Sequence, residues 1–315
     1  MSTHIPLIII YGPTASGKTD LSYDLAEYLE NEPQIINADL GQCYTPCTIG
    51  TAKPVPPYMR AIPHHLFNII DEPQNISVAT YQEKCLLALE QAYAQGGTPV
   101  IVGGSGFYIK SLFFPFTHKS PQLQAPLRIH QDTTWEELHR VDPLRASQIH
   151  PNDTYRITQA LSLWHTTHKL PSEHKPTWAP VSRSIKIIYT HRDRADLYNR
   201  INTRTRIMIQ NGWFEEIKNL ASSNWNSFLQ TKKLIGYDDL LKIAHLDHVP
   251  EKVTEEISQK TRHYAKRQIT FWNSLKKNIN TALESNSHYN IDIIELNLSN
   301  IEPENYKKQL RSIAK

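Results

Sequence analysis

Near the start of the chain, Tyr11-Gly12-Pro13-Thr14-Ala15-Ser16-Gly17-Lys18-Thr19 sets glycines, a lysine and a threonine at the spacing of a phosphate-binding loop. Gly12 and Gly17 admit backbone angles that a side chain would forbid. Successive N–H groups, together with the N-terminus of the helix that follows, then face an anion. Lys18 adds a mobile positive charge, and the Thr19 hydroxyl is a ligand for Mg²⁺. Such a loop binds a di- or triphosphate; by itself it does not say which one.

The flanking segments are those the loop needs. An apolar run at 5–10 reads as a buried strand, and 18–29 reads as a helix with Leu21, Leu25 and Leu29 recurring every turn. A second strand at 34–38 ends at Asp39. A helix over 77–95 is stopped by Gly96-Gly97, and a third strand at 99–102 ends at Gly103-Gly104-Ser105-Gly106. Strands alternating with helices imply an α/β fold with a parallel-sheet core. The alternation then breaks. A Pro-rich linker at 113–126 leads to short helices at 134–139 and 142–148. The capping sequence Pro151-Asn152-Asp153 precedes an amphipathic helix carrying Ile157, Ala160, Leu161 and Trp164. After a second Pro-rich stretch, a strand returns at 184–190. The expected organisation is a P-loop core in two segments, residues 1–116 and 184–277, with a helical insertion domain at 117–183 between them and a polar C-terminal tail at 278–315. Helices are expected at 194–220, with Gly212 as a weak point, at 233–244 and at 250–276. The tail holds a short strand at 291–296 and a helix at 304–313.

In an open parallel sheet, ligands bind at the carboxyl ends of the strands. That edge should bring Asp39 near Lys18. A carboxylate there is a proton acceptor for a nucleophilic amine or, equally, a helix N-cap or a loop partner of a lysine. Lys53, in the turn Gly50-Thr51-Ala52-Lys53-Pro54, reads as a solvated surface cation. Arg192, Arg194 and Arg200 open the helix after the returning strand; one of them is suited to reach a bound pyrophosphate, and solvated helix charges are the competing reading for each. Arg262, His263, Lys266 and Arg267, interleaved with Tyr264, form a basic band suited to an RNA backbone or simply to water; Arg156 invites the same two readings. The strand at 99–102 runs into glycine where a nucleotide hydrolase would carry an aspartate for Mg²⁺, which favours group transfer.

The totals agree with such a protein. Lys and Arg number 34 against 31 Asp and Glu, a formal charge of +3, so a nucleic acid would be held by local patches. Three cysteines, Cys43, Cys47 and Cys85, make no disulfide framework and no zinc pair, which suggests a reducing, cytoplasmic setting. No apolar run reaches the length of a membrane span, and the N-terminus does not read as a signal peptide.

Beyond the phosphate loop, an ordered set of blocks resembles the tRNA dimethylallyltransferases, also called tRNA isopentenyltransferases. These are Asn37-Ala38-Asp39 with Gln42 and Tyr44, Ile49-Gly50-Thr51-Ala52-Lys53-Pro54, Pro63-His64-His65-Leu66 and Val102-Gly103-Gly104-Ser105-Gly106-Phe107-Tyr108. Further on come Ile149-His150-Pro151-Asn152-Asp153, Asp193-Arg194 with Arg200-Ile201, Ile235-Gly236-Tyr237, and Thr261-Arg262 with Tyr264-Ala265-Lys266-Arg267-Gln268. The resemblance implies transfer of a dimethylallyl group from dimethylallyl diphosphate to N6 of an adenosine beside the anticodon of a tRNA, by a monomer using Mg²⁺. It implies that Gly12, Pro13, Thr14, Ala15, Ser16, Gly17, Lys18 and Thr19 hold the diphosphate, with Thr19 on the metal. Asp39, Thr19 and Arg194 are then catalytic. The anticodon stem-loop falls to Asp39, Leu40, Gly41, Gln42, Ser105, Arg128, Arg156, Gln159, Arg262 and Lys266. The chain departs from the family in having Leu40 where Ser is usual and Ser105 where Thr is usual. A P-loop kinase of a small metabolite and a non-catalytic RNA-binding protein are the competing readings.

Overall fold

A computed structural model of the chain describes residues 5–54, 62–115, 133–174 and 177–315. These fall into two compact units. One comprises Met1–Phe113 with Pro180–Lys315, and the other Phe114–Ala179.

The first unit is built on a six-stranded sheet, all of whose pairings are parallel, in the order β3-β2-β4-β1-β5-β6. At its centre β1 (Leu7–Tyr11) is buried along its whole length. Its β-branched isoleucines pack on both faces of the pleat, as a central parallel strand requires. The phosphate loop follows, then α1 (Lys18–Ala26), which buries Leu21 and Leu25. Strand β2 (Pro33–Asn37) ends at the four-residue turn α2 (Leu40–Cys43). The short edge strand β3 (His64–His65) precedes α3 (Val78–Ala94), β4 (Thr98–Gly103) and α4 (Gly106–Ser111). Helix α3 is capped by Ser77, as its sequence indicates, but its inward stripe is Tyr81, Cys85, Ala88, Leu89 and Ala92. Leu87 stands exposed.

The second unit has its own small core. Helices α5 (Trp135–Val141), α6 (Pro143–Ala146) and α7 (Thr154–Thr167) enclose Leu138, Ala146, Ile149, Ile157, Ala160 and Leu161. Thr134, Asp142 and Asp153 are the respective N-caps, each accepting a backbone N–H three residues on.

The chain re-enters the sheet with β5 (Ser184–His191) and continues into α8 (Arg194–Met208). The single helix expected over 194–220 is broken. Gly212 takes φ 97 within a π-helical turn, and α9 (Phe214–Ala221) starts afresh beyond it. A helix not expected from the sequence, α10 (Trp225–Lys232), comes next, and of the helix expected over 233–244 only α11 (Tyr237–Leu241) forms. Lys233 and Gly236, both at positive φ, end one and begin the other. Helix α12 (Glu251–Glu284) runs well beyond residue 276, because Leu275 and Ile279 continue its buried stripe.

Residues 278–315 are not a tail. Strand β6 (Asn290–Asn297) pairs along the full length of β5, and α13 (Pro303–Ala314) buries Leu310 and Ile313 against Leu21, Leu25 and Leu296. The polar composition of this segment reflects an edge strand and a surface helix, each with one covered face.

Candidate functional site

The sheet registers bring the chemistry together. Tyr11 is level with Gly103 on one side and Tyr189 on the other, and Asn37 is level with Val102. The loops after β1, β2, β4 and β5 therefore leave the sheet at one edge. There a cleft of about 550 Å³ is lined by Lys18 and Asp39 together, with Thr14, Ala15, Gly17, Thr19 and Asp20 from the phosphate loop and α1. Gln42, Thr51 and Ala52 line it from the loop after β2, and Val102 and Gly103 from β4.

The phosphate loop is held from below. Ser16 is fully buried, and its hydroxyl pairs with that of Thr190 on β5 at 2.7 Å. Gly12 lies so close to the Thr190 carbonyl that a side chain would not fit. Ala15 (φ 62) and Gly17 (φ 103) make the left-handed bends that fold the loop over its own amides. Two amides of the expected anion cradle are committed inside the protein, Thr14 N to Gln268 Oε1 at 2.8 Å and Ser16 N to Pro13 O at 3.3 Å. Of the eight residues expected at the diphosphate, Thr14, Ala15, Gly17, Lys18 and Thr19 line the cleft. Gly12, Pro13 and Ser16 shape the loop behind it.

Lys18 donates to Pro13 O at 2.8 Å. Burial lowers its pKa to about 8, against the opposing pull of Asp39 and with a smaller push from Arg204. Asp39 is both things its position suggested. Its Oδ1 caps α2 by accepting Gly41 N at 3.0 Å, and the same carboxylate faces the cleft. Burial raises its pKa, while Lys18, the Gly41 amide and Arg204 act in the other direction.

Asn37 fixes Asp39, a role not read from the sequence. Fully buried at the end of β2, it accepts Asp39 N at 2.8 Å and donates to Asp39 O and to Leu66 O, both at 3.0 Å. Leu40 N donates to Ser105 Oγ at 3.0 Å, which ties the Asp39 turn to the loop after β4. Leu40 itself packs on the hydrophobic cluster around Tyr44 and Trp213. Gln42 faces the cleft while its Nε2 donates to Thr51 O and Ala52 O. The loop it holds is anchored by Glu216, which accepts Thr48 N, Ile49 N and the Tyr237 hydroxyl.

Two expectations need correction. Lys53 is buried, not solvated; its Nζ donates to Tyr44 O at 2.7 Å, Thr45 O at 3.2 Å and Asn68 Oδ1 at 2.6 Å. Arg194 is exposed, stacks over the Tyr198 ring, and does not line the cleft. The arginines that do are Arg200 and Arg204, one turn apart on α8 beside Asn199, Thr203 and Ile207. Arg200 also holds Ala15 O at 3.0 Å, and Arg192 holds Ser16 O at 2.8 Å.

The residues expected at RNA differ in their surroundings. Arg262 is spent within the protein on Asn202 at 2.6 Å and Glu255 at 2.8 Å, whereas Lys266 is exposed. In the second unit Arg156 is exposed beside Asp153, and Gln159 is half-buried on α7. Arg128 lies outside the described residues. Gln268, which carries no chemical signal of its own in the sequence, is central. It is buried, takes the Thr14 amide and donates to Gly104 O at 2.8 Å. Its own carbonyl accepts the Tyr11 hydroxyl at 3.2 Å.

Among the described residues no group of three His, Cys, Asp or Glu side chains is placed to hold a metal, and no helix is long and apolar enough to cross a membrane.

The model of the family described as IPP transferase matches residues 42–275. The chain belongs to the IPP transferase family. A tRNA dimethylallyltransferase of Thermoanaerobacter sp. (strain X514) is 36% identical over 281 residues, 85% of this chain and 89% of that one. One from Bacillus subtilis (strain 168) is 36% identical over 282 residues, covering 86% and 88%. Among solved structures, a tRNA isopentenylpyrophosphate transferase of Staphylococcus epidermidis is similar at TM-score 0.63 and 28% identity, over 98% of each chain. A eukaryotic dimethylallyltransferase solved in crystallographic snapshots of its action on tRNA matches at TM-score 0.76 and 25% identity, over 98% of this chain and 77% of that one.

Proposed function

We propose that this chain transfers a dimethylallyl group from dimethylallyl diphosphate to N6 of an adenosine beside the anticodon of a tRNA, acting as a monomer in the cytoplasm. The observation that carries the reading is the shared cleft: Lys18 and Asp39 line one cavity, in a chain whose family is that of the prenyl transferases.

In the proposed reaction the amine nitrogen attacks the allylic carbon, the carbon–oxygen bond breaks, and the diphosphate leaves with the electron pair. Negative charge grows on the diphosphate oxygens. Lys18, Arg200, Arg204 and the free amides of the phosphate loop are pre-aimed at that charge, which is where electrostatic stabilisation is most effective. At neutral pH a lysine that titrates near 8 is still mostly protonated, and a bound anion strengthens its hold on the proton. Asp39 accepts the amine proton; its raised pKa makes it a better base than a free carboxylate. Val102, Ala52 and Ile207 give the allyl chain apolar walls. The Thr19 hydroxyl lines the cleft and has no side-chain hydrogen bond among the described residues, so it would be the residue to hold Mg²⁺ beside a bound diphosphate. When bound, Mg²⁺ neutralises charge on the leaving group.

The test is transfer from labelled dimethylallyl diphosphate to tRNA made without modifications, read as N6-(dimethylallyl)adenosine by mass spectrometry of the digested nucleosides. Failure to modify any tRNA of the source organism, with Mg²⁺ supplied, would count decisively against the reading.

A further inference from the structure

Phe107 opens α4 with 58% of its surface in water, among the most exposed large apolar side chains described. A single exposed Phe would need no explanation. This one is paired, its ring lying 5.1 Å from that of Phe271 on α12 at an interplanar angle of 64°. Gly106 permits the approach, since a side chain there would run into the Phe271 ring. The pair also sits beside the reacting groups. Ser105, two residues earlier, accepts Leu40 N next to Asp39, and its own amide donates to Ala38 O at 3.0 Å. Two Cα steps span at most about 8 Å, roughly two stacked nucleotides.

The surroundings of the pair are cationic. Lys110 is one turn along α4 from Phe107, and Arg267 is one turn before Phe271 on α12, with Lys266 beside it. None of the three has an ion-pair partner among the described residues. Arg267 lies over the Tyr264 ring, a neutral partner. Open aromatic faces ringed by uncompensated cations match a nucleobase with its flanking phosphates.

We propose that Phe107, backed by Phe271, is a stacking platform for a nucleobase adjacent to the target adenosine, with Lys110, Lys266 and Arg267 taking the neighbouring phosphates. The proposal rests on the tRNA reading above. Stacking on a hydrocarbon ring tolerates any base, so the platform governs affinity and not the choice of base.

The experiment uses a synthetic anticodon stem-loop RNA carrying 2-aminopurine in turn at each position flanking the target adenosine. With the full-length wild-type protein, 2-aminopurine at one flanking position is expected to be quenched on binding. Phe107→Ala is expected to restore that fluorescence and to weaken stem-loop binding roughly 10- to 100-fold, while Phe107→Trp keeps both wild-type values. Calorimetric binding of dimethylallyl diphosphate to the RNA-free protein is expected to be the same in all three. Unaltered RNA affinity in Phe107→Ala would overturn the platform and leave a protein contact as the use of this face. Equal losses in Ala and Trp variants, or a parallel loss of diphosphate binding, would show a structural role instead. If wild-type protein neither binds nor prenylates the stem-loop, it is the functional reading that falls. If it does both and Phe107→Ala matches it, the platform alone falls.

Discussion

Asn37→Ala is the perturbation that separates holding Asp39 from being Asp39. Asn37 makes three backbone hydrogen bonds, to Asp39 N, Asp39 O and Leu66 O, from a fully buried position. A hydrogen bond of this kind contributes about 1 kcal/mol net, and more where its partner is left buried and unpaired. The loss should come to about 3 to 5 kcal/mol, a large share of the stability of an ordinary domain. For a unit of this size that corresponds to a fall of roughly 10 °C in melting temperature. The carboxylate would survive but lose the two bonds that aim its backbone, and a displacement of about 1 Å at a reacting group costs on the order of 100-fold in rate. The phosphate loop is anchored separately, through Thr190, Arg192, Arg200 and Gln268, so diphosphate affinity should stay within about twofold, inside the range of an unconnected substitution. Three measurements bear on this: differential scanning fluorimetry, calorimetry with dimethylallyl diphosphate, and initial rates of transfer below the lowered melting point. A variant that melts early yet turns over at the wild-type rate would refute the positioning role. Loss of diphosphate binding together with rate would show that the two halves of the site are not independently held.

Other substitutions should separate the remaining roles. Lys18→Ala should abolish measurable diphosphate binding. In the wild type, affinity should hold below pH 8 and fall up to about tenfold per pH unit above it, because a lysine lowered to about 8 sheds its proton earlier than a free one; calorimetry on both sides of that pH decides it, and a flat profile to the pKa of free lysine would be the contrary result. Arg204→Ala should cost about 100-fold in kcat/KM, whereas Arg194→Ala, on an exposed side chain, should cost less than about threefold, both read from initial rates. Lys53→Met leaves three carbonyl-type oxygens without their donor and should destabilise the protein by about 1 to 3 kcal/mol in urea denaturation.

The centre of the site was legible from the sequence because its parts are local. Strand, glycine loop and helix are contiguous, and a parallel sheet forces successive strand ends to one edge, which is why Asp39 could be brought to Lys18 across twenty residues. What escaped depends on rotation and on distant partners. Arg194 does begin its helix at the ligand edge, but at 100° per residue Arg200 and Arg204 lie within about 40° of each other while Arg194 lies about 120° from Arg200. Lys53 resembles any surface lysine until Tyr44, Thr45 and Asn68 close around it. Gln268 and Asn37 bond almost wholly to backbone, which no side-chain pattern announces. The sheet role of 290–297 was hidden by its polar exposed face, and the break at Gly212 was visible as a weak point though not as a left-handed turn.

Arg192 joins Ser16 O in the phosphate loop to Leu298 O, just past the last strand of the sheet, and β6 completes that sheet alongside β5. The anion-binding loop after β1 is therefore braced from the far edge of the sheet. A chain cut before β6 would keep the whole signature run yet lose the carbonyl that holds the far side of the Arg192 guanidinium, so the edge strand is part of what steadies the anion cradle.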